Sequence, residues 1–192
     1  MKVGVLALQG AFDRHAQALS LAGAAPLEVR GSQYLEEIDA LVIPGGESTT
    51  MMKLAESLNV RKRLMERIED GLPVLGTCAG MILLSNEILD GRDDQHPFGS
   101  IDIGVRRNGY GRQLNSFEED LKINDFDTPF RGVFIRAPLV ERIGDNVEVL
   151  ASVEGHPVFC REGKIMVTSF HPELVDDDRV HRLFLETAFA SN

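Results

Sequence analysis

Gly76-Thr77-Cys78-Ala79-Gly80 sets one cysteine between two glycines, after an apolar run and before residues of helical pattern. This is the context of a nucleophile elbow, a sharp strand-to-helix turn that projects its central side chain. The glycines let the chain turn without a Cβ clash. A helix start aims backbone N–H groups at the sulfur and favours the thiolate. The amide of Ala79 falls where it can stabilise an oxyanion. On pattern alone, a buried structural cysteine in a glycine-rich turn remains the competing reading. Cys160, the other cysteine, ends a short apolar strand and reads as a core thiol.

A thiol nucleophile needs a base, and the base needs an orienting group. Among five histidines, His171 follows the apolar run Ile165-Met166-Val167-Thr168-Ser169-Phe170 and opens His171-Pro172-Glu173. Pro172 keeps His171 extended at the strand end. Glu173, two residues on, is within reach of the imidazole, so Cys78, His171 and Glu173 have the logic of a hydrolase triad. His15, His96, His156 and His181 read as ordinary surface or core side chains. His156-Pro157 imitates the later pair but lacks a carboxylate at the same offset. No His pair has the spacing of a helical metal site. A third element, Pro44-Gly45-Gly46-Glu47-Ser48-Thr49-Thr50, puts glycines directly after a strand, which frees backbone amides for a ligand. A plain turn is the bland alternative. Neither the P-loop pattern nor the dinucleotide-binding glycine pattern is present.

Alternating apolar segments supply the frame. Lys2–Leu8 reads as a strand buried on both faces, and Pro26–Arg30, Asp39–Ile43 and Pro73–Gly76 read as further strands. Phe12–Ala22, Ser48–Ser57, Val60–Glu69 and a segment from about Met81 read as helices, with Gly71 as a stop. This alternation predicts right-handed parallel crossovers. Open sheets of this kind bind ligands at the carboxyl ends of their strands, where Gly45-Gly46, Cys78 and His171 would meet. Asn86–Gly99 reads as a loop. Short strands follow at Ile101–Arg106, Leu121–Ile123, Gly132–Ile135, Val147–Val153, Pro157–Cys160 and Lys164–Ser169, the last two forming a hairpin. A helix over Arg179–Ala190 follows Asp176-Asp177-Asp178, an acid run that reads as a solvated helix cap rather than a metal site. The expected architecture is α/β, a mostly parallel sheet flanked by helices with a few antiparallel strands in the C-terminal half, as one domain over 1–192.

Composition narrows the function classes. With 192 residues, 43% hydrophobic and 26% charged, the chain buries a sizeable core without disulfide staples. Twenty Lys and Arg against thirty Asp and Glu leave a net charge of −10. That balance opposes nucleic-acid binding and docking on an anionic membrane. The N-terminal apolar run stops at Gln9-Gly10, short of a signal-peptide core, and no stretch approaches a membrane span. Two cysteines cannot build a disulfide framework, and a reducing cytoplasm is the expected compartment.

Taken together, the cysteine elbow, the late His171-Pro172-Glu173 and the Gly45-Gly46 turn resemble the class I, triad-type, glutamine amidotransferases. The likeness is closest to the family of glutaminase subunits of pyridoxal 5′-phosphate synthase. It is carried by Gly4-Val5-Leu6-Ala7-Leu8-Gln9-Gly10-Ala11-Phe12, Pro44–Thr50, Arg107-Asn108-Gly109-Tyr110-Gly111-Arg112-Gln113 and Phe134-Ile135-Arg136-Ala137-Pro138. It spans essentially the whole chain. The resemblance implies hydrolysis of L-glutamine to L-glutamate and ammonia, without cofactor or metal. The ammonia passes to a (β/α)₈-barrel synthase subunit. It implies Cys78 as nucleophile, His171 as base and acid, and Glu173 as orienter. The Gly46 and Ala79 amides form the oxyanion hole, and Gly46, Glu47, Ser48, Arg107, Ile135 and Arg136 bind glutamine. The arginine role goes to Arg107, directly before Asn108, rather than to Arg106. Tyr110 stands where the family has Phe. Three other readings compete: an amidotransferase serving another acceptor, a redox sensor using Cys78, and a non-catalytic scaffold. The sensor needs neither His171-Pro172-Glu173 nor the Gly-Gly-Glu-Ser turn.

Overall fold

A computed structural model describes residues 1–107, 109 and 116–190. The Arg107–Gln113 motif therefore lies mostly outside the described residues, Tyr110 included. In chain order the elements are β1 (Lys2–Leu6), α1 (Phe12–Leu21), β2 (Ala25–Val29), a 3₁₀ turn over Ser32–Glu36, β3 (Ala40–Ile43), α2 (Ser48–Ser57), α3 (Val60–Glu69), β4 (Val74–Thr77) and α4 (Ala79–Leu84). There follow β5 (Ser85–Ile88), β6 (Ile101–Arg106), β7 (Ser116–Leu121), β8 (Phe130–Ile135), β9 (Leu139–Ile143), β10 (Glu148–Val153), β11 (His156–Glu162), β12 (Ile165–Thr168), a 3₁₀ turn over Pro172–Leu174, and α5 (Arg179–Phe189).

The main sheet has the order β10-β11-β12-β4-β3-β1-β2. β12, β4, β3, β1 and β2 run parallel, and β10 and β11 join antiparallel. The architecture is thus α/β with a mostly parallel sheet, as the alternation of apolar segments predicts. Period-2 geometry gives the inner strands β1, β3, β4 and β12 two buried faces. Leu41, Ile43, Val74, Ile165 and Val167 point into one core layer, with Met51, Leu64 and Leu83 of α2, α3 and α4. Ala40, Val42, Leu75 and Met166 point into the other, with Leu19 of α1 and Phe184 of α5. β2, at the edge, tolerates Pro26, which has no N–H to give a ladder.

Differences from the sequence reading fall in the half beyond α4. Ser85–Ile88 is a strand that pairs β6, so the loop starts after Ile88. Its Asn86 and Glu87 are exposed, which hides it from any hydrophobic pattern. β9 is a further strand not anticipated, paired to β6. β7 starts at Ser116 rather than Leu121 because Glu118, Glu119 and Asp120 face solvent while pairing β8. α4 opens at Ala79, directly after Cys78. In the acid run before α5, Asp177 accepts the Arg179 amide at the helix start at 3.1 Å, as a cap does, and also pairs with the Arg179 guanidinium, while Asp178 pairs with Arg182.

Close backbone approach explains the glycines of the elbow. A Cβ on Gly80 would overlap the carbonyl oxygen of Ile43, and one on Gly76 would stand 2.7 Å from the Gly80 carbonyl carbon. Both neighbours are backbone and cannot yield. Gly80→Ala is therefore expected to destabilise the fold by about 2–4 kcal/mol, by forcing α4 away from β3. Denaturant unfolding measures it; a loss below about 0.5 kcal/mol would contradict the close approach.

Candidate active site

Four neighbouring strands, β12, β4, β3 and β1, end on the same side of the sheet, and the segments that leave them build one cleft of about 650 Å³. Its walls include Gln9 and Gly10 after β1, Gly45 and Gly46 after β3, Cys78 after β4, and His171 and Glu173 after β12. The turn after β8 adds Ile135 and Arg136, and Arg107 closes the far side. All the residues expected from the sequence line this cleft except Ala79, which is buried and opens α4, so only its backbone adjoins the site.

Cys78 has φ 50° and ψ −102°, a positive φ that an L residue rarely adopts. Its amide donates to the Thr168 carbonyl at 2.8 Å, tying the elbow to the end of β12. The thiol is 7% exposed and its Sγ lies 3.8 Å from the Ile135 carbonyl oxygen. Cys160 is fully buried, and burial pushes its thiol up to about 12, where it is inert.

His171 is held from three sides. Its amide donates to the Val133 carbonyl of β8 at 2.8 Å. The preceding Phe170 is anchored among Phe130, Phe134 and Phe159, with ring centroids 5.7, 5.8 and 6.0 Å away. Its ring lies against Gly45, where a Cβ would stand 2.5 Å from Cε1 and 3.4 Å from the Cys78 Cβ. Gly45 thus leaves the space in which the His171 ring and Cys78 meet. His171 Nδ1 is 2.8 Å from Glu173 Oε1. Burial acts to lower the His171 pKa, but the hydrogen bonds and charges of Cys78 and Glu173 outweigh it and raise it to about 10. Burial raises the Glu173 carboxyl, while the His15 and His171 imidazoles pull it below its ordinary range. The carboxylate stays ionised, and the raised pKa lets the His171 imidazole hold a proton at neutral pH beside the Cys78 sulfur, the arrangement of an imidazolium paired with a carboxylate.

The remaining residues differ in what they can offer. Glu47 spends its carboxylate on α2, accepting from the Thr49 and Thr50 amides at 3.0 and 2.8 Å and from the Thr50 hydroxyl at 2.7 Å. Burial opposes the charge, but those donors bring its pKa down to about 2. Only its backbone is left for a ligand, and its amide already donates to Gln9 Oε1 at 3.2 Å. The two neighbouring arginines part company: Arg106 is bound to Glu141 at 2.8 and 3.0 Å, away from the cleft, while Arg107 faces it. Asp90 steadies Arg107, receiving its amide at 2.9 Å, and the Asp90 carbonyl receives a guanidinium N–H at 3.1 Å. Arg136 is exposed, with φ 46°. Gln9 and Gly10 line the site and carry no separate role in the sequence reading, while Gly45 sits where the sequence predicts the Gly45-Gly46 turn. A Cβ on Gly10, at φ 95°, would overlap the Gly45 carbonyl oxygen, a constraint that appears only once β1 and β3 are neighbours.

Known proteins resemble the chain over nearly its whole length. The sequence profile described as "SNO glutamine amidotransferase family" matches residues 5–190. A "Pyridoxal 5'-phosphate synthase subunit PdxT" of Mycobacteroides abscessus is 55% identical over 184 residues, covering 96% of this chain and 95% of that protein. One of the same description from Frankia alni is 49% identical over 191 residues, covering 99% and 96%. A solved structure titled "Crystal structure of glutamine amidotransferase" superposes with a TM-score of 0.92 at 49% identity, over 97% of this chain and 98% of that one.

The raised His171 pKa fixes a sign. The charged imidazole contributes stability that is complete below its unfolded value of 6.5 and is lost as pH rises through about 10. Glu173→Gln removes one of the raising contributions and leaves burial, so the His171 titration is expected to move down toward 6.5. NMR of the His171 ring reads this; an unmoved titration would mean that Glu173 does not act on His171.

Proposed function

The chain belongs to the SNO glutamine amidotransferase family, and from that premise we propose how its cleft hydrolyses L-glutamine to L-glutamate and ammonia for pyridoxal 5′-phosphate synthesis. Cys78 Sγ attacks the side-chain amide carbon of glutamine, and His171 takes the thiol proton. The carbonyl oxygen becomes an oxyanion facing the amides of Gly46 and Ala79, where one preorganised donor contributes about 3–4 kcal/mol. Collapse of this intermediate expels the amide nitrogen, which receives the proton from His171 and departs as ammonia. The thioester left on Cys78 is attacked by water, with His171 now accepting the water's proton, and glutamate is released. Glu173 holds the imidazole in the tautomer that presents its other nitrogen to sulfur.

The hydrogen bond from His171 to Glu173, in one cleft with Cys78 at the elbow, carries this reading. Two arginines at the same cleft, Arg107 and Arg136, suit the α-carboxylate of a free amino acid. Gly46, Glu47, Ser48 and Ile135 complete the glutamine site, with Glu47 acting through its backbone. A redox sensor would have no use for the His171–Glu173 pair.

The ammonia acceptor is a partner synthase subunit, a (β/α)₈ barrel, in a hetero-oligomeric complex in the cytoplasm. Ammonia must travel before solvent protonates it, so a partner that covers the cleft is chemically required. Ile135 and Leu174, each 41% exposed at the cleft rim, supply apolar surface for such a cover. Among the described residues no helix is long and apolar enough to cross a membrane.

Cys78→Ala is expected to abolish glutamine hydrolysis and Cys160→Ala to leave most of it, assayed as glutamate release with the synthase subunit present. His171→Asn should be nearly as damaging as loss of the thiol, because the members of a catalytic unit act together. Hydrolysis surviving Cys78→Ala would overturn the nucleophile. The isolated chain should turn over glutamine more slowly than the mixture with synthase; equal rates would remove the case for a partner-completed site.

A further inference from the structure

Behind the triad lies a second histidine pair that the hydrolysis just described does not use. His15 comes from α1 and His181 from α5, and both are fully buried. His15 Nδ1 is 3.0 Å from His181 Nε2. On its other side, His15 Nε2 is 3.1 Å from Thr77 Oγ1 and 3.3 Å from Glu173 Oε2. Glu173 Oε1 is taken by His171, whereas Oε2 is buried and has no hydrogen-bond partner among the described residues, with His15 Nε2 the electrostatic contact beside it.

The proton positions follow from what each nitrogen faces. His181 Nδ1 is buried and has no partner among the described residues. A buried N–H without an acceptor is rarer and costlier than a buried lone pair, so the His181 proton belongs on Nε2. That N–H donates to His15 Nδ1, which is therefore bare, and the His15 proton sits on Nε2. The opposite tautomer would leave a lone pair facing the carboxylate oxygen and a buried donor with no acceptor. Burial holds both imidazoles below the ordinary histidine range, His181 at about 3, so each carries a single proton at neutral pH.

We propose that His15, locked in this tautomer by His181, is a positioning residue for glutamine hydrolysis. Its Nε2–H is donated to the Thr77 hydroxyl and stands 3.3 Å from the otherwise unpartnered Glu173 Oε2, an electrostatic contact that sets the angle at which Glu173 presents Oε1 to His171. Thr77 directly precedes the nucleophile, so one ring touches Glu173 and the residue next to Cys78. The inference rests on the reading of Glu173 as the third member of that triad.

A double-mutant cycle on the chain assembled with its synthase subunit tests it, read as steady-state glutaminase kinetics. His15→Leu keeps apolar bulk and removes the donor; kcat is expected to fall about 10- to 100-fold while KM for glutamine stays within about threefold. His15→Gln places an amide N–H near the lost Nε2–H and should recover kcat to within about fivefold of the parent. In a Glu173→Gln background, His15→Leu should cost less than about threefold more, because both changes break one unit. An unchanged kcat in His15→Leu, or the same loss in both backgrounds, overturns the proposal. If His15→Leu does not fold, His181→Leu replaces it. Freeing the His15 tautomer should lower kcat about threefold or more, and an unchanged kcat overturns the proposal equally. Glu173→Gln alone separates the two levels: if it is harmless the triad reading fails and this inference with it, whereas a harmful Glu173→Gln beside a harmless His15→Leu sinks the inference only.

Discussion

Cys78 is held at a positive φ that costs on the order of 1–3 kcal/mol for a residue with a side chain, and the molecule is organised around keeping it there. The tension is contained by backbone on both sides. Its amide is bonded to the Thr168 carbonyl at the end of β12, and its carbonyl accepts from Ile82 in the first turn of α4. Gly80 lets that helix sit directly on the Ile43 carbonyl of β3. α4 has no exposed face, and all six of its residues are buried. Relaxing the elbow would require lifting a buried helix out of the core, so the strain persists as part of the fold.

Electrostatics then follow from burial. Glu173 is 5% exposed, and an unaccompanied carboxylate there would be protonated. Imidazoles on both sides keep it ionised, and its charge in turn raises His171. The same burial that makes His15 and His181 neutral leaves Cys160 inert. Two histidines and one cysteine of ordinary chemistry are silenced, while one of each stands at the mouth of a cleft. Position in the fold, rather than residue type, decides which of them faces the cleft.

Much of this was readable before any coordinates. The parallel strands announce themselves because both faces are buried, and Gly76–Gly80, Pro44–Thr50 and His171–Glu173 are contiguous motifs at strand ends. Edge strands such as Ser85–Ile88 and Ser116–Leu121 were not readable, since exposed Glu87, Glu118 and Glu119 leave no alternation to detect. The division between Arg106 and Arg107 rested on Asn108 alone; Glu141 and Asp90 supply its physical cause only when β6 and β9 pair. His15 and His181 passed as ordinary core histidines, which their burial supports, but their contact with Glu173 joins residues far apart in the chain and follows no spacing rule.

The strand order has a consequence in time. β12 is late in the chain yet lies between β4 and β11 near the middle of the main sheet. A nascent polypeptide emerging from the ribosome can pair β1, β2, β3 and β4 early, but β4 then has an open edge until Ile165–Thr168 is synthesised. Contacts of such long sequence separation form slowly, and an unpaired strand edge is sticky while it waits. The same insertion delivers the Thr168 carbonyl that restrains Cys78 and the His171 ring that shares its cleft. During translation the thiol is therefore produced long before the imidazole beside it, and the cleft lacks that wall until the sheet has closed.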